Sequence, residues 1–174
     1  MKDTFTSGFS AGIASGLAAN ALSLLFGFLQ FTTLRYADWT GIIIFGHTPP
    51  FSTGELAFAL VANIGFMGVL GIVFAYLIPL MSSANLLLKG WVFSTFLWLL
   101  IYAVSTLFKV DGTMSLPLTT AVTNMITASA YGLVLAQSLK KSLLRATASG
   151  RADSTFKMMA PAMKPLQEKD DDTK

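Results

Sequence analysis

Charged residues divide the chain into four long uncharged windows, Thr4–Leu34, Leu56–Leu88, Gly90–Phe108 and Gly112–Leu139. About 20 apolar residues cross the roughly 30 Å hydrocarbon core of a bilayer, so each window holds one spanning helix, the 19-residue third window only just. The second window is too long for one helix, and Pro79 followed by Met81-Ser82-Ser83 marks its end. The pattern predicts an all-α fold, a polytopic transmembrane four-helix bundle with helices near 6–33, 53–79, 87–108 and 115–142. Ala19-Asn20-Ala21 loosely resembles a signal-peptide cleavage site. The apolar run resumes at Leu22 and continues to Phe31, however, so residues 1–34 read as a retained first helix.

Local signals punctuate this pattern. Ser52 and Glu55 form an S-x-x-E capping box ahead of the second span. Ser115 is expected to cap the fourth span, with Pro117 in its first turn, where a missing N–H costs little. Lys109-Val110-Asp111-Gly112 reads as a tight turn. Between the first two spans, Tyr36 to Phe45 is apolar and aromatic but too short to cross a bilayer, and His47-Thr48-Pro49-Pro50 stops it. A short interfacial helix in the first outer loop is expected there, since Tyr and Trp favour the headgroup region. A re-entrant loop is the alternative.

Charge sets the expected orientation. With four spans, Lys2, Lys89 and the eight basic residues after Leu139 share one side, and only Arg35 and Lys109 lie on the other. The bias of Lys and Arg toward the inner face puts both termini in the cytoplasm. Residues 143–174, with a basic start and the acidic Asp170-Asp171-Asp172, form a tail expected to be disordered. Lys140, Lys141 and Arg145 are expected to meet anionic lipid headgroups, so membrane lipid rather than nucleic acid is the expected partner of this basic segment. The chain carries 12% charged residues, against about 25% for a soluble domain. It has no cysteine, which excludes disulfides and thiolate chemistry.

Helix association in lipid relies on close packing and hydrogen bonds. Gly8, Gly12 and Gly16 recur every four residues in the first span, and Gly65, Gly68 and Gly71 every three in the second. These glycines either pack the two helices together within one chain or form a homo-oligomer interface. Asn20, Asn63 and Asn124 fall near the middle of the expected spans. Thr120, Asn124, Thr127 and Tyr131 share a helix face, with Thr123 beside them. A mid-membrane polar cluster follows, acting as interhelical glue or, alternatively, as a polar site or water-lined path. Trp98 and Tyr102 lie deep in an aromatic third span, and each needs a partner for its polar hydrogen; packing is the expected role.

No ionisable residue lies well inside a span, which argues against ion-coupled transport. Chemistry would have to use the outer-face candidates Asp38, His47, Glu55 and Asp111, but His47 is the sole histidine and no spacing matches a known ligand pattern. Neither a metal nor a cofactor is expected.

Three stretches, Tyr36 through Pro50, Leu88-Lys-Gly-Trp91 leading to Thr106–Lys109, and Asn124 through Ala136, together resemble small four-helix membrane proteins of unknown function from Gram-positive, often spore-forming, bacteria. The layout is more distantly similar to the YqhR-type conserved membrane proteins. The resemblance covers about residues 5–142. It implies a bacterial cytoplasmic membrane and carries over no functional residue. The favoured function is a non-catalytic integral membrane subunit or assembly partner, binding copies of itself or another membrane protein. The alternative is a pore or transporter for a small neutral solute through the polar cluster. An outer-face metal-dependent enzyme is a third, weaker reading.

Overall fold

The computed structural model describes residues 4–80, 85–114 and 116–159, with side chains described as far as Ser142. Its order is α1 (Thr4–Phe28), α2 (Tyr36–Phe45), α3 (Thr53–Leu77, tightening into a 3-10 turn at Ile78–Leu80), α4 (Leu86–Leu107) and α5 (Leu118–Met159). Among the described residues all regular structure is helical, and α1, α3, α4 and the first 25 residues of α5 are each long and apolar enough to cross a membrane. Large apolar side chains such as Phe58, Val61, Phe96 and Leu99 are exposed around the bundle. In water such a surface would be prohibitive; in lipid it is the ordinary exterior of a spanning bundle.

Helix ends depart from the expected boundaries where tertiary bonds intervene. The first helix stops at Phe28 rather than near 33, with Gln30 in a left-handed conformation (φ 60°) and Phe31 N–H returning to the Phe26 carbonyl. No breaker in Leu29-Gln30-Phe31 announces this. The backbone beyond is held instead by bonds to other helices. The Ser52–Glu55 capping box opens α3 reciprocally, Ser52 N–H donating to Glu55 Oε2 at 2.8 Å and Glu55 N–H to Ser52 Oγ at 3.3 Å. The expected stop at Met81-Ser82-Ser83 and the Ser115 cap lie outside the described residues. The α5 backbone does not end near 142 but is helical to Met159, so the first part of the tail extends the fourth span's helix.

Two seams of small residues hold the bundle. In the first, α1 and α3 run antiparallel in direct backbone contact. A Cβ on Gly12 would lie 2.5 Å from the Met67 carbonyl oxygen, and one on Gly8 2.9 Å from that of Gly71. Gly16 faces the Met67 side chain, and Gly68 is covered by Phe9 and Ile13. Gly65 does not join this seam, as nothing lies within 4 Å of the position its Cβ would take. The expected three-glycine face is corrected on this point. Each step of three residues advances a helix by about 300°, so two steps leave Gly65 about 120° away from Gly71. The second seam joins α4 to α5, where Gly90 and Gly132 meet backbone to backbone beside Ala136 and Ser94.

Helix α1 also packs on α5, whereas α3 and α4 hardly approach one another. Across their gap the Phe74 and Phe93 rings pair, with centroids 5.0 Å apart. The order around the bundle is therefore α3, α1, α5, α4, open between its first and last members. One apolar core lies inside, built on Phe74, Leu135, Ala136 and Leu139; a second gathers Leu34, Trp39 and Ile42 beneath α2.

If close backbone approach carries the α1–α3 seam, Gly12→Leu should destabilise the protein in detergent by at least about 1–3 kcal/mol through overpacking. Gly65→Ala, made into open space, should stay within about 0.5 kcal/mol of the parent. Thermal or denaturant unfolding of both variants would check this, and equal effects would refute the assigned seam.

Candidate functional site

The buried amides organise around the segment that links α1 to α2. Asn20 Nδ2 donates to the Gly16 carbonyl at 2.9 Å and to Asn63 Oδ1 at 2.8 Å, joining α1 to α3. Asn63 Nδ2 donates in turn to Thr40 Oγ1 at 2.8 Å and to the Tyr36 carbonyl at 3.4 Å, both on α2. Tyr36 N–H donates to Ser23 Oγ on α1 at 3.0 Å, and its hydroxyl donates to the Asn124 carbonyl on α5 at 3.0 Å. Asn124 Nδ2 reaches Tyr102 Oη on α4 at 3.3 Å and the Leu34 carbonyl at 3.5 Å. Thr33 N–H donates to Thr120 Oγ1 at 3.0 Å. Buried backbone outside a helix needs partners for its polar groups, and these side chains supply several of them for residues 33–36.

Asn20, Asn63 and Asn124 are all buried, but they do not form one mutually bonded group. Asn20 and Asn63 bond directly, while Asn124 connects to them through Tyr36. Asn63 lies near the middle of α3, whereas Asn20 and Asn124 lie toward the α2 ends of their helices. At 1.5 Å per residue, Asn20 lies about 12 Å from the end of α1, Asn63 about 15 Å from the start of α3 and Asn124 about 9 Å from the start of α5. The cluster occupies the half of the bundle nearer α2. Thr123 and Thr127 are buried but bond the Thr119 and Thr123 carbonyls of their own helix. Tyr131 donates across to the Met67 carbonyl at 2.8 Å, as a separate α5–α3 tie.

Beside this network the gap between α3 and α4 forms a cleft of about 80 Å³. Its walls are Phe66, Met67 and Leu70 from α3 and Leu97, Trp98 and Ile101 from α4, with Ala128 and Tyr131 of α5 behind. No charged side chain lines it. Toward α2 it meets an aromatic stack in which the Tyr102 ring lies 5.2 Å from Trp39 and 5.1 Å from Trp98. Phe74, Phe93 and their neighbours fill the space toward the other end. Sequence reasoning missed Ser23, Thr33, Tyr36 and Thr40 as network members. The spacing of Asn20 to Ser23 and of Tyr36 to Thr40 was a usable signal, since three- and four-residue steps share a helix face.

The outer-face candidates are dispersed. Asp38 is buried and forms a two-point pair with Arg35, its oxygens 2.9 Å from Arg35 Nε and Nη2. His47 Nε2 and Glu55 Oε1 meet at 3.3 Å on the exposed surface. Asp111 is exposed and forms no ion pair among the described residues. Among those residues no three His or carboxylate side chains come together as metal ligands would. Lys140 and Lys141 are exposed at the end of the fourth span, and the Arg145 side chain lies outside the description.

Two predictions test the polar groups. Asn63→Val should cost about 1–2 kcal/mol, near the upper measured range for interhelical bonds in membranes, and should speed hydrogen exchange over residues 36–40 more than at the Gly90–Gly132 seam. Unchanged exchange there would show that Asn63 does not hold α2. The His47 pKa is raised, first by its bond to the Thr48 carbonyl and then by Glu55. Because the folded pKa exceeds the unfolded one, this stabilisation is complete below about pH 6.5 and is lost as pH rises through the folded value. An NMR titration should find the His47 midpoint above 6.5, falling in Glu55→Gln.

No protein-family model, curated protein or solved structure matches this chain.

Proposed function

We propose that the chain is a non-catalytic integral membrane protein that works by helix–helix association, as a subunit or assembly partner of another membrane protein. The observation that carries this reading is the unequal covering of the spans. In α4 only 11% of the most apolar stretch is buried inside the chain, against 44% in α5. Helix α4 rests on α5 through the Gly90–Gly132 seam and leaves Val92, Phe96, Leu99 and Leu100 exposed. The glycines of α1, and Gly68 and Gly71 of α3, are occupied within the chain, which favours α4 as the surface for a partner.

The polar side chains support the same reading, since they are bonded to one another and hold the bundle together. A path for neutral solutes through the cluster has less support: the amides are spent on each other, and Phe74 and Phe93 obstruct one direction. Cytoplasmic termini and residence in a bacterial cytoplasmic membrane, implied by the Lys and Arg bias and by the resemblance, belong to this proposal. So does an outer, membrane-surface setting for α2, whose buried face nevertheless packs onto the spans.

Photo-crosslinking from Phe96 or Leu99 in the native membrane, followed by mass determination, tests the reading. A reproducible heterologous protein adduct is expected, absent when the probe is moved to the α1 face at Leu17. Adducts to lipid or to copies of this chain alone would overturn it.

A further inference from the structure

The loop between α2 and α3, residues 46–52, is held to three elements at once. The Phe51 ring lies against Gly41 of α2, and the Thr48 methyl lies against Gly112 in the α4–α5 turn. His47 makes the third hold, on α3. Its Nδ1 stands 3.0 Å from the Thr48 carbonyl oxygen and its Nε2 3.3 Å from Glu55 Oε1. Both partners are acceptors. A neutral imidazole offers one donor and one acceptor, so it can serve only one of them, whereas the imidazolium donates to both. Glu55 cannot simply turn away, because its other oxygen, Oε2, accepts from Ser52 N–H at 2.8 Å in the α3 cap.

We infer that this loop is a proton-operated clasp, closed onto α3 and the α4–α5 turn when His47 is an imidazolium and released when that proton leaves to solvent. On release, Nδ1 keeps its hydrogen for Thr48, and the Nε2 lone pair then faces the Glu55 carboxylate. Two acceptors repel, so His47 withdraws, and Thr48, the next residue, loses its seat on Gly112. The Phe51 ring, 5.0 Å from the imidazole, also favours the cation. The raised pKa of His47 has the matching sign. The clasp is closed below the ordinary histidine value of about 6.5 and opens as pH rises through the folded midpoint. Among the described residues Glu55 is the ion-pair partner of His47, and on α2 Arg35 and Asp38 are paired with each other. The charged groups of the α4–α5 turn are Lys109 and Asp111, both exposed.

The full chain, labelled at glycine amides and at the histidine ring, is placed in phosphatidylcholine nanodiscs and followed by NMR from about pH 5 to 8. His47 is the sole histidine, so its ring signal is unambiguous. The Gly112 amide should titrate with the same midpoint as the ring, while Gly90, in the distant α4–α5 seam, stays fixed. Glu55→Gln separates loop position from ring charge. A glutamine still completes the S-x-x-E/Q cap, and its amide NH2 can donate to Nε2 of a neutral imidazole. The clasp should then remain closed at high pH, with Gly112 at its low-pH position although the ring is neutral. Asp111→Asn should leave Gly112 titrating with the ring. A Gly112 signal that ignores the ring in the unmodified protein, or that follows the ring charge equally in Glu55→Gln, would overturn the inference.

Discussion

Tyr36 is the tie on which the arrangement at one end of the bundle depends. Its N–H binds α1, its carbonyl receives Asn63 from α3, and its hydroxyl reaches the backbone of α5. A single residue at the first turn of α2 thus engages three spans. The links are mutually supporting, because each fixes the ring or backbone for the others, and a buried polar network of this kind is worth having only when its members are satisfied. The early end of α1 at Phe28 is the geometric consequence: the chain leaves the helix to bring residues 33–36 among the spans.

The same bundle is uneven in how its helices meet. Small residues permit backbone contact at α1–α3 and α4–α5, and the lack of an equivalent seam between α3 and α4 leaves them apart. Lipid does not drive helices together as water drives apolar surfaces, so a pair without complementary small residues has little reason to close. What fills the space is aromatic: Phe74 against Phe93 toward one end, Trp39, Tyr102 and Trp98 toward the other. Between them a cleft remains open.

Four of the ionisable groups on the α2 side form local pairs, Arg35 with Asp38 and His47 with Glu55. Arg35 and Asp38 complete the N-terminal turn of α2, with Asp38 also accepting from the Arg35 backbone N–H at 2.8 Å. Glu55 serves the start of α3 and meets His47 from there. Each carboxylate stands near a helix N-terminus, where the backbone dipole and free N–H groups favour negative charge. Capping accounts for the positions of Asp38 and Glu55.

The linear pattern was sufficient for the four spans, because the 30 Å apolar slab imposes a length and composition that any crossing helix must show. It also revealed the Ser52–Glu55 cap, a signal complete within four residues, and the four-residue spacing of Gly8, Gly12 and Gly16, which labels one helix face. It misjudged Gly65, whose three-residue spacing drifts around the helix, and it ran α1 on past Phe28 because the end of that helix is not written locally. Whether an amide is spent or spare, and whether two adjacent helices touch, depends on partners tens of residues away, such as Tyr36 with Asn124 or Gly90 with Gly132. Sequence by itself determined that this chain has four segments long and apolar enough to cross a membrane, since that is a property of each segment's transfer into lipid. Only the tertiary structure decided that the first loop re-enters the bundle's polar network and that a cleft remains between α3 and α4, because both arise from contacts between segments that carry no record of each other.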